Sequence, residues 1–129
     1  MFKVRREQME AYREVALRDF EDRVVTHLRK FYPAECANLG EEQIRRLIRY
    51  GIVRARSYGL TSERAACIYV DVMFAFGRDF DRDPSLPWAS QVLNREDLSS
   101  PMERAACLFG RAYQHWDEAR GIGAEGALP

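Results

Sequence analysis

Ala65-Ala66-Cys67-Ile68-Tyr69-Val70-Asp71-Val72-Met73-Phe74-Ala75-Phe76 is the stretch whose reading decides the fold. Only Asp71 in it is charged. Its apolar residues run all the way round a helical projection, and no period-two alternation marks a strand. A helix of that kind outside a membrane lies at the centre of a packed domain. The stretch is too short to span a bilayer. The pattern predicts a helix from about Ser62 to Phe80, with more apolar surface to bury than any other segment. Asp71 breaks the pattern, because a buried carboxylate without a partner is costly. It is expected to be a structural polar residue, held by an arginine of another helix, a hydroxyl or a backbone N–H. A catalytic acid is the rival reading, but no His or second carboxylate lies near it in sequence.

Toward the N-terminus, Ile44, Leu47, Ile48, Ile52, Ala55 and Tyr58 recur at helical spacing and predict a helix from about Glu41 to Tyr58. Asn38-Leu39-Gly40-Glu41 reads as a capping-box variant at its start. Gly59 is placed to stop it, being free to take positive φ. A first helix is expected from about Arg5 to Phe31. Its stripe is Met9, Tyr12, Ala16, Phe20, Val24, Leu28 and Phe31, widened by Val15, Leu17 and Val25. Pro33 should end it, since proline disfavours helical geometry in the preceding residue. Residues 33–40 read as a link.

Toward the C-terminus, Asp79-Phe80-Asp81-Arg82-Asp83-Pro84 reads as an acidic turn. A short helix is expected over Pro87 to Leu93, with proline at the first position. Ser100-Pro101-Met102-Glu103 opens the last helix with Ser as N-cap. Its stripe is Met102, Ala105, Ala106, Phe109, Tyr113 and Trp116, and Gly121 is expected to end it. Glu63-Arg64-Ala65-Ala66-Cys67 recurs as Glu103-Arg104-Ala105-Ala106-Cys107. Similarity fades after the pentapeptide, which reads as shared first-turn composition and close Ala packing. The fold class is therefore all-α: four larger helices plus one short helix in a bundle-like or orthogonal single domain over 1–120. A flexible tail is expected over 121–129.

A chain of 129 residues can bury roughly two-thirds of its unfolded surface. With 47% hydrophobic residues, it needs no metal or disulfide to supplement its core. Twenty basic residues balance twenty acidic ones. That argues against a dedicated nucleic-acid binder or a polybasic membrane-surface protein. Cys36, Cys67 and Cys107 form an odd set without CxxC, which fits reduced thiols of the cytoplasm. The basic N-terminus runs into charge, not into an apolar h-region, and predicts no secretory signal.

The chemistry-bearing patterns are incomplete. Asp79-x-Asp81-x-Asp83 begins like a calcium loop, but Pro84 stands where the loop needs glycine and Ser90 where it needs glutamate. The acidic turn is better matched to the arginines of the second helix, Arg45, Arg46, Arg49, Arg54 and Arg56, inside the fold or across to a partner. His27 and His115 have no His or Cys three or four residues away, so sequence supports no zinc site. No GxSxG, phosphate loop or HExxH occurs. No catalytic, cofactor-binding or metal residues are expected.

Phe31-Tyr32-Pro33, Cys36, Leu39-Gly40, Ile48-Arg49-Tyr50-Gly51-Ile52, Arg54-Ala55 and Ser57-Tyr58-Gly59 open a longer pattern. It continues through Ser62-Glu63-Arg64, Tyr69-Val70-Asp71-Val72-Met73-Phe74, Gly77-Arg78-Asp79-Phe80-Asp81, Asp83-Pro84 and Leu86-Pro87-Trp88-Ala89. Covering about half the chain, it resembles small helical proteins of Gram-negative bacteria encoded beside type VI secretion effectors and their PAAR or adaptor partners. The resemblance implies a non-enzymatic accessory role: a chaperone, co-chaperone or adaptor that holds an effector or its adaptor. It carries no catalytic residues to transfer. The expected working surface is the acidic turn with the aromatics that follow: Asp79, Phe80, Asp81, Asp83, Trp88, Tyr113 and Trp116. The first alternative is an immunity protein that neutralises a toxic effector. The second is a small enzyme with a pocket around Asp71 or Cys36.

Overall fold

The computed structural model describes the backbone of residues 2–127 and the side chains of residues 7–118. The protein is all-α, and no strand occurs among the described residues. Its helices are α1 (Phe2–Phe31), α2 (Pro33–Ala37), α3 (Glu41–Ser57), α4 (Glu63–Phe76), α5 (Pro87–Leu93) and α6 (Pro101–Ala127), with a 3-10 turn at Phe80–Arg82. No helix is long and apolar enough to cross a membrane among the described residues. Contacts group the chain into two compact units, residues 1–49 and residues 50–129.

In the first unit, Phe20, Val24, Val25 and Leu28 of α1 are buried, as are Cys36 of α2 and Ile44 and Ile48 of α3. The expected α1 stripe is thus only partly buried: Met9, Tyr12, Ala16 and Phe31 are exposed. Length explains part of this. The nine residues of α3 in this unit (41–49) rise about 13 Å, against about 45 Å for the 30 residues of α1. Pro33 does end α1, by holding Tyr32 out of helical geometry at φ −129° and ψ 54°. It then serves as the first residue of α2, a helix where a link was expected. The start of α3 also differs from expectation. Asn38 closes α2, and the Gly40 N–H donates to Gln43 Oε1 at 3.4 Å. The reciprocal half of a capping box is therefore made by Gln43, not by Glu41.

In the second unit, α3 ends in a Schellman motif. The Leu60 N–H donates to Ala55 O at 2.9 Å and the Gly59 N–H to Arg56 O at 3.0 Å. Gly59 takes φ +82°, and Leu60 and Ala55 are both buried. Ser62 caps α4 by accepting from the Ala65 N–H at 3.1 Å. Ala65, Ala66, Tyr69, Val70, Val72 and Met73 of α4 are buried, so it forms the centre of this unit. The helix stops at Phe76, four residues earlier than expected, because Gly77 adopts φ +114° and ψ 158°. That region is essentially restricted to glycine.

Helix α4 packs on α6, α6 on α5, and α5 on the 3-10 turn. Glu103 N–H donates to Ser100 Oγ at 3.1 Å, as the start signal requires. Glu103 Oε2 reaches one residue further back, to the Ser99 N–H at 2.9 Å and its hydroxyl at 2.8 Å. Arg104 donates to the carbonyls of Val92 and Leu93 at 3.2 and 2.8 Å, satisfying the end of α5 from α6. The backbone of α6 continues through Gly121 to Ala127, past its expected end; residues 128–129 of the expected tail lie outside the described residues.

Gly51 sits inside α3 because no Cβ fits there. A Cβ would stand 2.9 Å from Val70 Cγ2 and 3.1 Å from Met73 Cε. Val70 is fully buried and β-branched, so it has little freedom to move aside. Gly51→Leu is expected to lower stability by about 1–3 kcal/mol through overpacking. Urea unfolding followed by circular dichroism checks this; an unchanged midpoint would refute it.

Candidate interaction surface

The acidic turn is built into the second unit, residue by residue. Asp81 is 2% exposed. Its Oδ2 accepts from the Arg54 guanidinium and from Tyr58 Oη, the latter at 2.7 Å. The Arg54 guanidinium also lies 5.6 Å from the Tyr58 ring centre. Burial and the neighbouring Asp81 carboxylate push the Tyr58 phenol up, and burial raises the adjacent Tyr69 phenol further. Phe80, 1% exposed, packs its ring 4.9 Å from that of Tyr69. The pairing of this turn with an arginine of the second predicted helix therefore occurs inside the fold.

Asp79 lies on the outside. It accepts from Tyr50 Oη at 2.8 Å and from Arg82 at 3.0 Å, and these two bonds hold its carboxyl below the usual range. Arg78 stacks over the Tyr50 ring at 4.1 Å. Asp83, half-buried, spends its Oδ1 on Ser85, accepting from the N–H at 2.9 Å and the hydroxyl at 2.7 Å. Such local bonds shape a turn. Trp88 is 5% exposed.

The expected working surface is corrected accordingly. Phe80, Asp81 and Trp88 are interior residues, and Asp79 and Asp83 bond to their own neighbours. The alternation inside the turn separates them: Asp81 points in while Asp79 and Asp83 do not. Tyr113 and Trp116 are exposed, at 64% and 40%. Phe109 joins them, and its ring stacks on that of Tyr113 with centres 6.5 Å apart. Trp116 is backed by Phe76, edge-on at 6.0 Å, and Phe76 in turn meets Trp88 at 5.4 Å and His115 at 5.5 Å.

The sequence stripe on α6 merged two seams one residue apart. Ala105, Leu108 and Ala112 are buried, whereas Ala106, Phe109, Tyr113 and Trp116 face outward. Both sets keep three-and-four spacing. Leu108 and Ala112 mark the inner seam in the sequence, since they complete it without any of the large aromatics.

Asp71 is half-buried and engaged with a neighbouring group. Cys36 is buried. Burial pushes its thiol up and Glu35 adds to this, against an opposing effect of Arg29. An activated thiol nucleophile needs the reverse.

In the first unit, Glu21 is nearly buried between two arginines. Arg45 donates to it at 3.1 Å, Arg49 twice at 3.0 Å, and Arg45 also reaches Asp22 at 2.7 Å. These side chains line an open depression of about 580 Å³ together with Glu14, Leu17, Arg18 and Glu41. Arg45 and Arg49 are already paired, and together they clamp Glu21. Burial raises the Glu21 carboxyl, but the bonds from Arg49 and Arg45 outweigh it and leave its pKa lowered. A depressed folded-state pKa contributes stability that is present above the unfolded value and is lost as pH falls through the folded value. Acid titration should therefore weaken the fold below the ordinary glutamate range. Glu21→Gln should flatten that acid limb in unfolding midpoints measured against pH; an identical limb in the variant would contradict the assignment.

Comparison with family models, curated proteins and solved structures finds no match to this chain.

Proposed function

We propose that this chain is a non-enzymatic protein-binding accessory protein: a chaperone, co-chaperone or adaptor of a type VI secretion effector module. The observation that carries the binding role is the outward face of α6, where Phe109, Tyr113 and Trp116 stand exposed in a row. Tyr and Trp are the residue types that anchor interfaces, because they bring large apolar area with a polar tip. A non-enzymatic reading is favoured by the Cys36 thiol, which burial deactivates. The secretion context rests on the sequence pattern between Phe31 and Leu93.

The test is recovery of the tagged protein from cells co-expressing the products of its neighbouring genes. A stable complex with a secreted effector or its adaptor is expected, along with reduced secretion when the chain is deleted. No complex with any neighbour would overturn the reading. A growth defect of the producing cell on deletion would shift it to the neutralisation of a toxic effector.

A further inference from the structure

We infer that the outward seam of α6 takes one partner α-helix, laid lengthwise, whose own apolar seam is flanked by lysines or arginines. The inference rests on the protein-binding reading above and names the chemistry of the partner.

Ala106, Phe109, Tyr113 and Trp116 follow one another at intervals of three, four and three residues. That is the a/d repeat by which one helix packs its side chains between those of another. An extended segment fits poorly, because a helix offers no free backbone edge for strand pairing. From Ala106 to Trp116 the seam rises about 15 Å, the length of roughly three turns of a facing helix. Nothing lies within 4 Å of where a Cβ on Gly110 would stand, so the backbone beside the seam is open to close approach.

One flank of the seam turns inward through Ala105, Leu108 and Ala112. The open flank carries Glu103 and Asp117, both exposed. A second copy of this chain, paired antiparallel, would seat Trp116 opposite the small Ala106, which suits shape. It would also bring Asp117 of each copy toward Glu103 of the other, and like charges across a helix pair are unfavourable. A helix with basic flanking residues gains from the same two carboxylates.

The probe is a pair of synthetic amphipathic peptides of about 18 residues with one shared apolar seam, flanked by Lys in one and by Glu in the other. Fluorescence anisotropy should show the Lys peptide binding at least about tenfold more tightly than the Glu peptide, with affinity falling as salt is raised. Tyr113→Glu should weaken the Lys peptide by about tenfold or more. Asp117→Lys should narrow or reverse the preference between the peptides. Thermal unfolding of each variant near that of the parent chain keeps loss of fold apart from loss of binding. Equal binding of the two peptides, an unchanged preference in Asp117→Lys, or a dimer in sedimentation equilibrium without peptide would each overturn the inference. If the Lys peptide fails while the tagged chain still recovers a neighbouring gene product, this inference falls and the accessory role stands. If the peptide binds and no gene product is recovered, the reverse holds.

Discussion

Arg54→Met is expected to cost about 3–5 kcal/mol, as breaking a buried ion pair from one side does. The Asp81 side chain has no exposure at all, while that of Arg54 keeps a quarter of its surface in solvent. Removing the arginine leaves the carboxylate inside with only the Tyr58 hydroxyl as partner. Asp81→Asn should cost less, about 1–3 kcal/mol, because the amide oxygen still accepts from Tyr58 and the partly exposed guanidinium can turn to water. The asymmetry is the informative part. Urea unfolding of the two single variants and the double variant measures it. The double variant should fall well short of the sum of the singles. Equal, small losses from both substitutions would contradict the buried pair.

Phe80→Ala is the second large effect, at about 3–5 kcal/mol for truncating a fully buried phenylalanine. Phe80 is packed against Tyr69 from a 3-10 turn, and the loss would open space at the centre of the second unit. The same substitution separates two accounts of the acidic turn. Were Phe80 a partner-binding residue on the surface, its loss would leave stability nearly untouched and weaken only association. The thermal midpoint of the purified variant decides the matter: a marked drop is expected, and an unchanged midpoint would return Phe80 to the surface.

Periodicity makes the longer helices legible in the sequence, though not α2, because an apolar stripe and its stop signals are local. Gly59 illustrates this, as its positive φ and the Schellman bonds follow from one glycine after one apolar run. Gly77 offers the same kind of stop, yet the expected helix runs past it to Phe80. The chain instead turns there and brings Phe80 back onto the face of Tyr69. The orientation of the acidic turn was not legible for a related reason. Three aspartates at alternate positions look equivalent in sequence, and only the position of Arg54 and Tyr58 selects Asp81 for the interior.

The aromatics singled out in sequence lie in different surroundings on α5 and α6. Trp88 and Trp116 looked alike as candidate anchors, yet one is buried and the other is not. Helix α6 carries two seams of equal spacing, and which one faces inward depends on the size of what it meets. Ala105 and Ala112 permit close packing, and Phe109 and Tyr113 do not.

Exposed apolar side chains also occur in the first unit, where Met9, Tyr12, Val15 and Leu17 of α1 face solvent. The central claim is that the outward face of α6 is the docking surface. The most direct test is calorimetric titration of the partner recovered by co-expression against three forms of the chain: the parent, Tyr113→Glu and Met9→Glu. The account predicts that Tyr113→Glu loses about tenfold or more in affinity while Met9→Glu binds as the parent does. Full affinity in Tyr113→Glu, with binding lost in Met9→Glu, would contradict it.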